Sequence, residues 1–148
     1  MTHVRRSIGA TVLAIVGVTM FVRSHAQQNE ETAIRAQIER LVDRFNARDA
    51  QGVAMFYEAD ADRRDLRSGK WARGRSEVLS MYDRTIRELE SGVTYRFDYT
   101  VRLVGSDLAL VDGDWISTRG TKGPFILLAS KKSGAWLVAA GRQGPAYP

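Results

Sequence analysis

Val93-Thr94-Tyr95-Arg96-Phe97-Asp98-Tyr99-Thr100-Val101-Arg102-Leu103 alternates apolar and polar side chains without a break. Aromatic and β-branched residues at every second position are the pattern of a half-buried strand. Working outward, the next segments repeat the pattern behind glycine turns. Gly105-Ser106-Asp107 turns the chain into Leu108 to Thr118, Gly120 to Pro124 turns it into Phe125 to Lys131, and Ser133-Gly134 turns it into Trp136 to Gly141. These turns and their flanks predict a meander of antiparallel hairpins. A sheet with one apolar face needs a cover, and the helical patterns upstream supply it.

The first helical stripe is Ile34, Ile38, Leu41, Val42 and Phe45, with Arg35, Glu39, Arg40, Asp43 and Arg44 on the solvated side. Asn29 is placed to cap this helix, and Asp49 to cap a short second one through Val53, Met55, Phe56 and Tyr57. Asp60-Ala61-Asp62 reads as a turn, and Arg63 to Arg67 as a short strand turned back by Ser68-Gly69. Lys70-Trp71-Ala72 is a brief extended segment. A third helix carries Val78, Leu79, Tyr82, Ile86 and Leu89, with Gly92 as its stop. Helices ahead of a strand block predict an α+β class with helices on one face of an antiparallel sheet.

The N-terminus stands apart from this domain. Arg5 and Arg6, then the apolar run Ile8 to Val22, then Ser24-His25-Ala26 follow the order of a secretory signal peptide. The expected division is a leader over residues 1–26 and a domain over 27–148, which sets the protein in the periplasm or outside the cell. An uncleaved leader is the one route to a membrane, and the run falls short of the ~20 residues a spanning helix needs. The whole chain carries a formal charge of +5, but Arg5, Arg6 and Arg23 lie in the leader, which has no carboxylate. The remaining chain is close to neutral, with its charges interspersed. No basic stripe tracks a phosphate backbone, so a nucleic-acid partner is not expected.

The chain has no cysteine, and both histidines, His3 and His25, fall within the leader. The domain therefore lacks a disulfide framework and the residues of Ser-His-Asp and Cys-His catalysis. It also lacks the usual zinc, copper and haem ligands, so neither metal nor cofactor is expected. Acid–base chemistry would fall to Asp, Glu, Tyr or Lys. Asp112 and Asp114 flank Gly113 too sparsely for a calcium loop.

Several motifs, taken in order, resemble the nuclear transport factor 2-like superfamily. Phe45-Asn46-Ala47-Arg48-Asp49 resembles the end of its first helix, and Tyr57-Glu58-Ala59-Asp60-Ala61 its passage into the first strand. Gly69 through Gly74-Arg75 resembles its glycine-framed hairpin, Val101 to Val111 its first long hairpin, and Ser133-Gly134-Ala135-Trp136-Leu137-Val138 its last strand. Among its members the chain is most similar to the SnoaL-like and SgcJ/EcaC-like groups. The resemblance implies a cone-shaped curved antiparallel sheet wrapped by three helices, a pocket inside the cone, and a homodimer through the sheet's outer face. It leaves function open, because the superfamily holds isomerases, cyclases, hydrolases and non-catalytic modules.

Ketosteroid isomerases in that superfamily set an Asp base against an oxyanion hole of Tyr and protonated Asp. By register Asp65 falls at the base, Leu41 at the tyrosine and Ile126 to Leu128 near the second acid. Two of the three parts are missing, which argues against that isomerisation. Asp65 shares a strand face with Arg63 and Arg67, and such neighbours lower a carboxylate's pKa. It is either a paired surface acid or, if held alone against Trp71 and Trp115, a catalytic one. Trp71, Tyr82, Trp115 and Arg142 are candidate pocket residues, with core packing as the competing account for the aromatic ones. Arg142 shares a face with Trp136, Val138 and Ala140, so on that otherwise apolar row it needs Asp112, Asp114 or a ligand carboxylate as partner, and the internal pair is the favoured choice.

Three functions fit these residues: a binding protein for a small, largely apolar molecule, a cyclase- or hydrolase-like enzyme using Asp65, and a dimerisation module whose cone is filled by side chains. An open apolar cavity selects the first. A cavity holding both Asp65 and Arg142 selects the second, and a closed one the third.

Overall fold

The protein is described by a computed structural model covering residues 9–147. The elements in order are α1 (Gly9–Asn46), α2 (Ala50–Ala54), β1 (Tyr57–Asp65), β2 (Trp71–Arg73), α3 (Gly74–Glu88), β3 (Tyr95–Leu103), β4 (Leu108–Ser117), β5 (Lys122–Lys132) and β6 (Ala135–Gln143). They form one six-stranded sheet in the order β2-β1-β6-β5-β4-β3. The hairpins β3–β4, β4–β5 and β5–β6 are antiparallel, as the alternation predicts. One pairing departs from a purely antiparallel sheet: β1 lies parallel to β6. Packing α1 and α3 across one face brings the start of the domain back beside its last strand, and that crossover sets the direction of β1.

The first eight residues of the expected leader lie outside the described residues. From Gly9 the helix runs unbroken to Asn46, so Asn29 sits inside it instead of capping it. No Gly or Pro falls between Ser24 and Phe45 to stop the helix, and a polar residue within one costs only a fraction of a kcal/mol. Among the described residues no helix is long and apolar enough to cross a membrane. Ile34, Ile38 and Leu41 are buried as the stripe predicts.

Asp49 caps α2 as expected, accepting from the Gly52 amide at 2.7 Å. Asn46 then holds the far edge of the sheet: its amide donates to the Tyr95 carbonyl and accepts from the Tyr95 N–H, both at 2.8 Å. At the other end of the helix cover, Glu30 receives Lys131 at 2.6 Å and the Trp136 indole N–H at 2.7 Å. The Lys131 hydrogen bond, with that of Trp136, holds the Glu30 carboxyl below its ordinary pKa.

The segment Asp60-Ala61-Asp62 is strand and not turn. Ala61 is buried, Asp60 is solvated and Asp62 is paired, so a strand with polar outward positions carried the composition of a turn. Inward from β3 to β6 the face carries Phe97, Tyr99, Val111, Phe125, Leu127, Ala129, Trp136 and Val138, which form the core with α1 and α3.

Two devices bend this sheet. At Gly113 a Cβ would stand 2.0 Å from the Asp98 carbonyl oxygen and 2.6 Å from Tyr99 Cα, so β3 and β4 approach more closely than any side chain allows. Between β5 and β6 the register slips as Leu128 pairs Ala140 and Ala129 pairs Val138, leaving Ala139 as a bulge.

Candidate functional site

The concave side of the bent sheet does not close on the helices. A cavity of about 470 Å³ remains between α1, α3 and the inner faces of β1 and β3–β6. Its apolar wall is formed by Leu41 and Phe45 of α1, Phe97 of β3, Trp115 of β4, and Phe125 and Leu127 of β5. This volume and lining suit a small-molecule site. Arg67 and Glu88, both exposed, mark the mouth, and Gly144, Pro145 and Ala146 of the tail complete the wall.

The polar groups gather at one end. Arg63 points inward from β1 and is 6% exposed. Its guanidinium lies 4.6 Å above the centre of the Tyr82 ring. It donates to the Gln143 side-chain oxygen and to Met81 Sδ. Gly141 lies opposite Arg63 on β6, where a Cβ would stand 3.2 Å from the Leu127 side chain. Below the guanidinium, the Tyr57 and Tyr82 hydroxyls share a hydrogen bond of 2.7 Å. Burial, reinforced by Tyr82 and partly opposed by Arg63, pushes the Tyr57 phenol well above its ordinary pKa. Arg63 therefore stays cationic beside the neutral Tyr57 phenol.

Asp65, Tyr82, Trp115 and Arg142 all border the cavity. Their chemistry differs from one to the next. Asp65 accepts from the Arg67 amide at 2.9 Å and the Ser68 hydroxyl at 2.8 Å, as the anchor of the β1–β2 turn. Burial alone would raise its pKa, but those hydrogen bonds, with one from the Ser68 amide and the Arg67 charge, leave it below the ordinary value. A carboxylate so held is a weak base. Trp115 packs at a tilt of 57° to Tyr95, with ring centres 6.1 Å apart. Its buried indole N–H has no hydrogen-bond partner among the described residues.

Arg142 is turned the other way from its expected orientation. The Ala139 bulge shifts the alternation, so Gly141 and Gln143 face inward while the Arg142 guanidinium faces out. There it pairs with Asp62 at 2.7 Å, and not with Asp112 or Asp114. Asp112 instead accepts from the Thr100 hydroxyl at 3.1 Å. Trp71 lies outside the cavity on β2, 42% exposed, with the guanidinium groups of Arg142, Arg64 and Arg73 at 4.8, 5.1 and 5.5 Å from its ring centre.

Arg63 and Gln143 are the site residues that sequence reasoning missed. Arg63 entered only as a neighbour of Asp65. Its signal was its position two residues beyond the inward Ala61, on the core face of the strand. Among the described residues no cluster of three or more His, Cys, Asp or Glu side chains is arranged to hold a metal.

A bent six-stranded sheet, roofed by helices over an open concavity, is the α+β nuclear transport factor 2-like fold, also called cystatin-like. A nuclear transport factor 2-like protein of unknown function from Pseudomonas putida KT2440 superposes with a TM-score of 0.73 at 19% identity, covering 82% of this chain and 89% of that one. A nuclear transport factor 2-like protein from Novosphingobium aromaticivorans superposes with a TM-score of 0.71 at 16% identity, covering 83% and 86%. A domain of unknown function with a cystatin-like fold from Nostoc punctiforme PCC 73102 gives 0.69 at 20% identity, covering 80% and 78%. No protein-family model and no curated protein sequence matches the chain.

Proposed function

We propose that this protein is an exported, SnoaL-like binding protein that holds a small, largely apolar molecule inside its cone. The observation that carries this reading is the cavity of about 470 Å³ walled by Leu41, Phe45, Phe97, Trp115, Phe125 and Leu127. A cone serving only as a dimerisation module would have no reason to leave this volume unfilled, because interiors otherwise pack closely. The enzyme reading keeps Asp65 at the cavity, but that carboxylate is committed to a turn and the Arg142 guanidinium to Asp62 on the outer face. Binding is therefore favoured over acid–base turnover.

The same reading includes a leader over residues 1–26, removed on export, and a homodimer through the convex face. Leu110, Leu128 and Ala140 run in one row across β4, β5 and β6, with Ile126 in the next. Ile126 and Leu128 are 48% and 36% exposed. Arg102, Asp112, Asp62 and Arg142 supply charges of both signs at the margin, as a self-complementary two-fold contact requires.

The test is native mass spectrometry of protein purified from its own cell envelope or medium. The expected result is a dimer of chains beginning at Gln27 that releases a small organic molecule on denaturation. Empty protein, together with no heat of binding for apolar probes, would overturn the binding reading.

A further inference from the structure

We infer that the cavity is built for a ligand with one anionic head, a carboxylate on an apolar body, and that Arg63 is the group that receives it. This inference rests on the binding reading and specifies the chemistry of its ligand.

Arg63 is a guanidinium at 6% exposure on the cavity wall, where Phe97, Phe125 and Leu127 supply apolar surface. Among the described residues no carboxylate lies within ion-pair distance of it; the arginines with such partners are Arg35, Arg44, Arg87, Arg119 and Arg142. Its acceptors are an amide oxygen and a thioether sulfur, and its stacking partner is a tyrosine ring. None of these is an anion. Arginine does not shed its proton to escape burial. An unpaired buried charge is costly, and an anion delivered by a ligand would remove that cost.

The nearest candidate counter-ion in the chain is unavailable. Asp65, two residues along the same face, is bound by the Arg67 amide and the Ser68 hydroxyl at the turn. Tyr57 is held in its neutral form by burial. The cation thus faces the cavity with no carboxylate in ion-pair contact among the described residues. The planar fork of a guanidinium matches the two oxygens of a carboxylate. Beyond that end the ligand meets Phe97, Phe125, Leu127 and Phe45, which suit an aromatic or aliphatic body.

The experiment is calorimetric titration of the purified full chain with matched acid and alcohol probes: 2-naphthoate against 2-naphthylmethanol, and decanoate against decanol. In the native protein the acid of at least one pair should bind about ten-fold or more tightly than its alcohol. Arg63→Met should abolish that preference while leaving the alcohol's affinity within about two-fold, and Arg63→Lys should retain part of it. Should Arg63→Met fail to fold, the acid–alcohol comparison in the native chain still decides. Alcohols binding as tightly as their acids would overturn the assignment to Arg63 and leave the binding reading standing. A preference that survives in Arg63→Met would do the same. No binding of either member of either pair would overturn both.

Discussion

The hydroxyls of Tyr57 and Tyr82 meet at 2.7 Å beneath the guanidinium of Arg63, joining the first strand to the third helix at the closed end of the cavity. Neither phenol reaches bulk water, since Tyr57 is 1% and Tyr82 7% exposed. Removing one hydroxyl therefore takes a partner from a buried group. Tyr57→Phe and Tyr82→Phe should each lower the unfolding free energy by about 1–3 kcal/mol, and the double variant by less than the sum. Urea denaturation of the full cycle checks this.

The same pair predicts a loss of stability in alkali. The folded-state pKa of Tyr57 is raised above the unfolded value by burial and by Tyr82. Its contribution is complete below the ordinary tyrosine pKa of about 10 and is lost as pH climbs beyond it. The melting temperature should therefore fall above about pH 10. Tyr57→Phe should flatten that decline, which differential scanning calorimetry would reveal across a pH series.

The indoles should separate by position. Trp136 is 3% exposed, packs in the core and donates to Glu30. Trp136→Ala should cost about 3–5 kcal/mol. Trp115 already borders open space, so Trp115→Ala should cost less, about 1–2 kcal/mol. Equal losses in chemical denaturation would mean that the Trp115 ring is core and not cavity wall.

Asp65→Asn keeps an oxygen for the Arg67 amide. Stability should fall by no more than about 1 kcal/mol, the weakening of hydrogen bonds that an ionised carboxylate accepts. Probe binding should persist. A folded variant that loses turnover of any substrate found for the native protein would move Asp65 from turn anchor to catalyst.

Ile126→Lys with Leu128→Lys places two cations in the middle of the convex apolar row. Light scattering should show the solution mass falling from a dimer to a single chain, with the melting temperature little changed. A native protein that is already monomeric would remove the interface.

Much of this architecture was legible in the sequence, for a physical reason. Strands β3 to β6 bury one face, so their alternation is written residue by residue from Tyr95 to Val138. Asp49 as a cap was legible because its hydrogen bond is local. The site was less legible because it depends on pairings distant in sequence. One extra residue at Ala139 reverses Arg142 and brings Gln143 inward, and no periodicity announces a bulge. Asp60 and Asp62 look like turn residues because a strand's outward positions tolerate whatever a turn tolerates. The direction of β1 depends on β6, nearly eighty residues away, and local propensity carries no information about it. The three indoles, identical in sequence chemistry, divide among core, cavity wall and outer surface for the same reason.

The parallel seam between β1 and β6 also governs timing. Arg63 aligns with Gly141 and accepts its restraint from Gln143, five residues before the end of the chain. A nascent polypeptide still short of its final strand can raise its hairpins and its helices, but it has no floor under the guanidinium. The cavity is thus closed on this side only once β6 has been made. Any frameshift or proteolytic trimming that removes β6 should leave a chain unable to assemble a binding chamber.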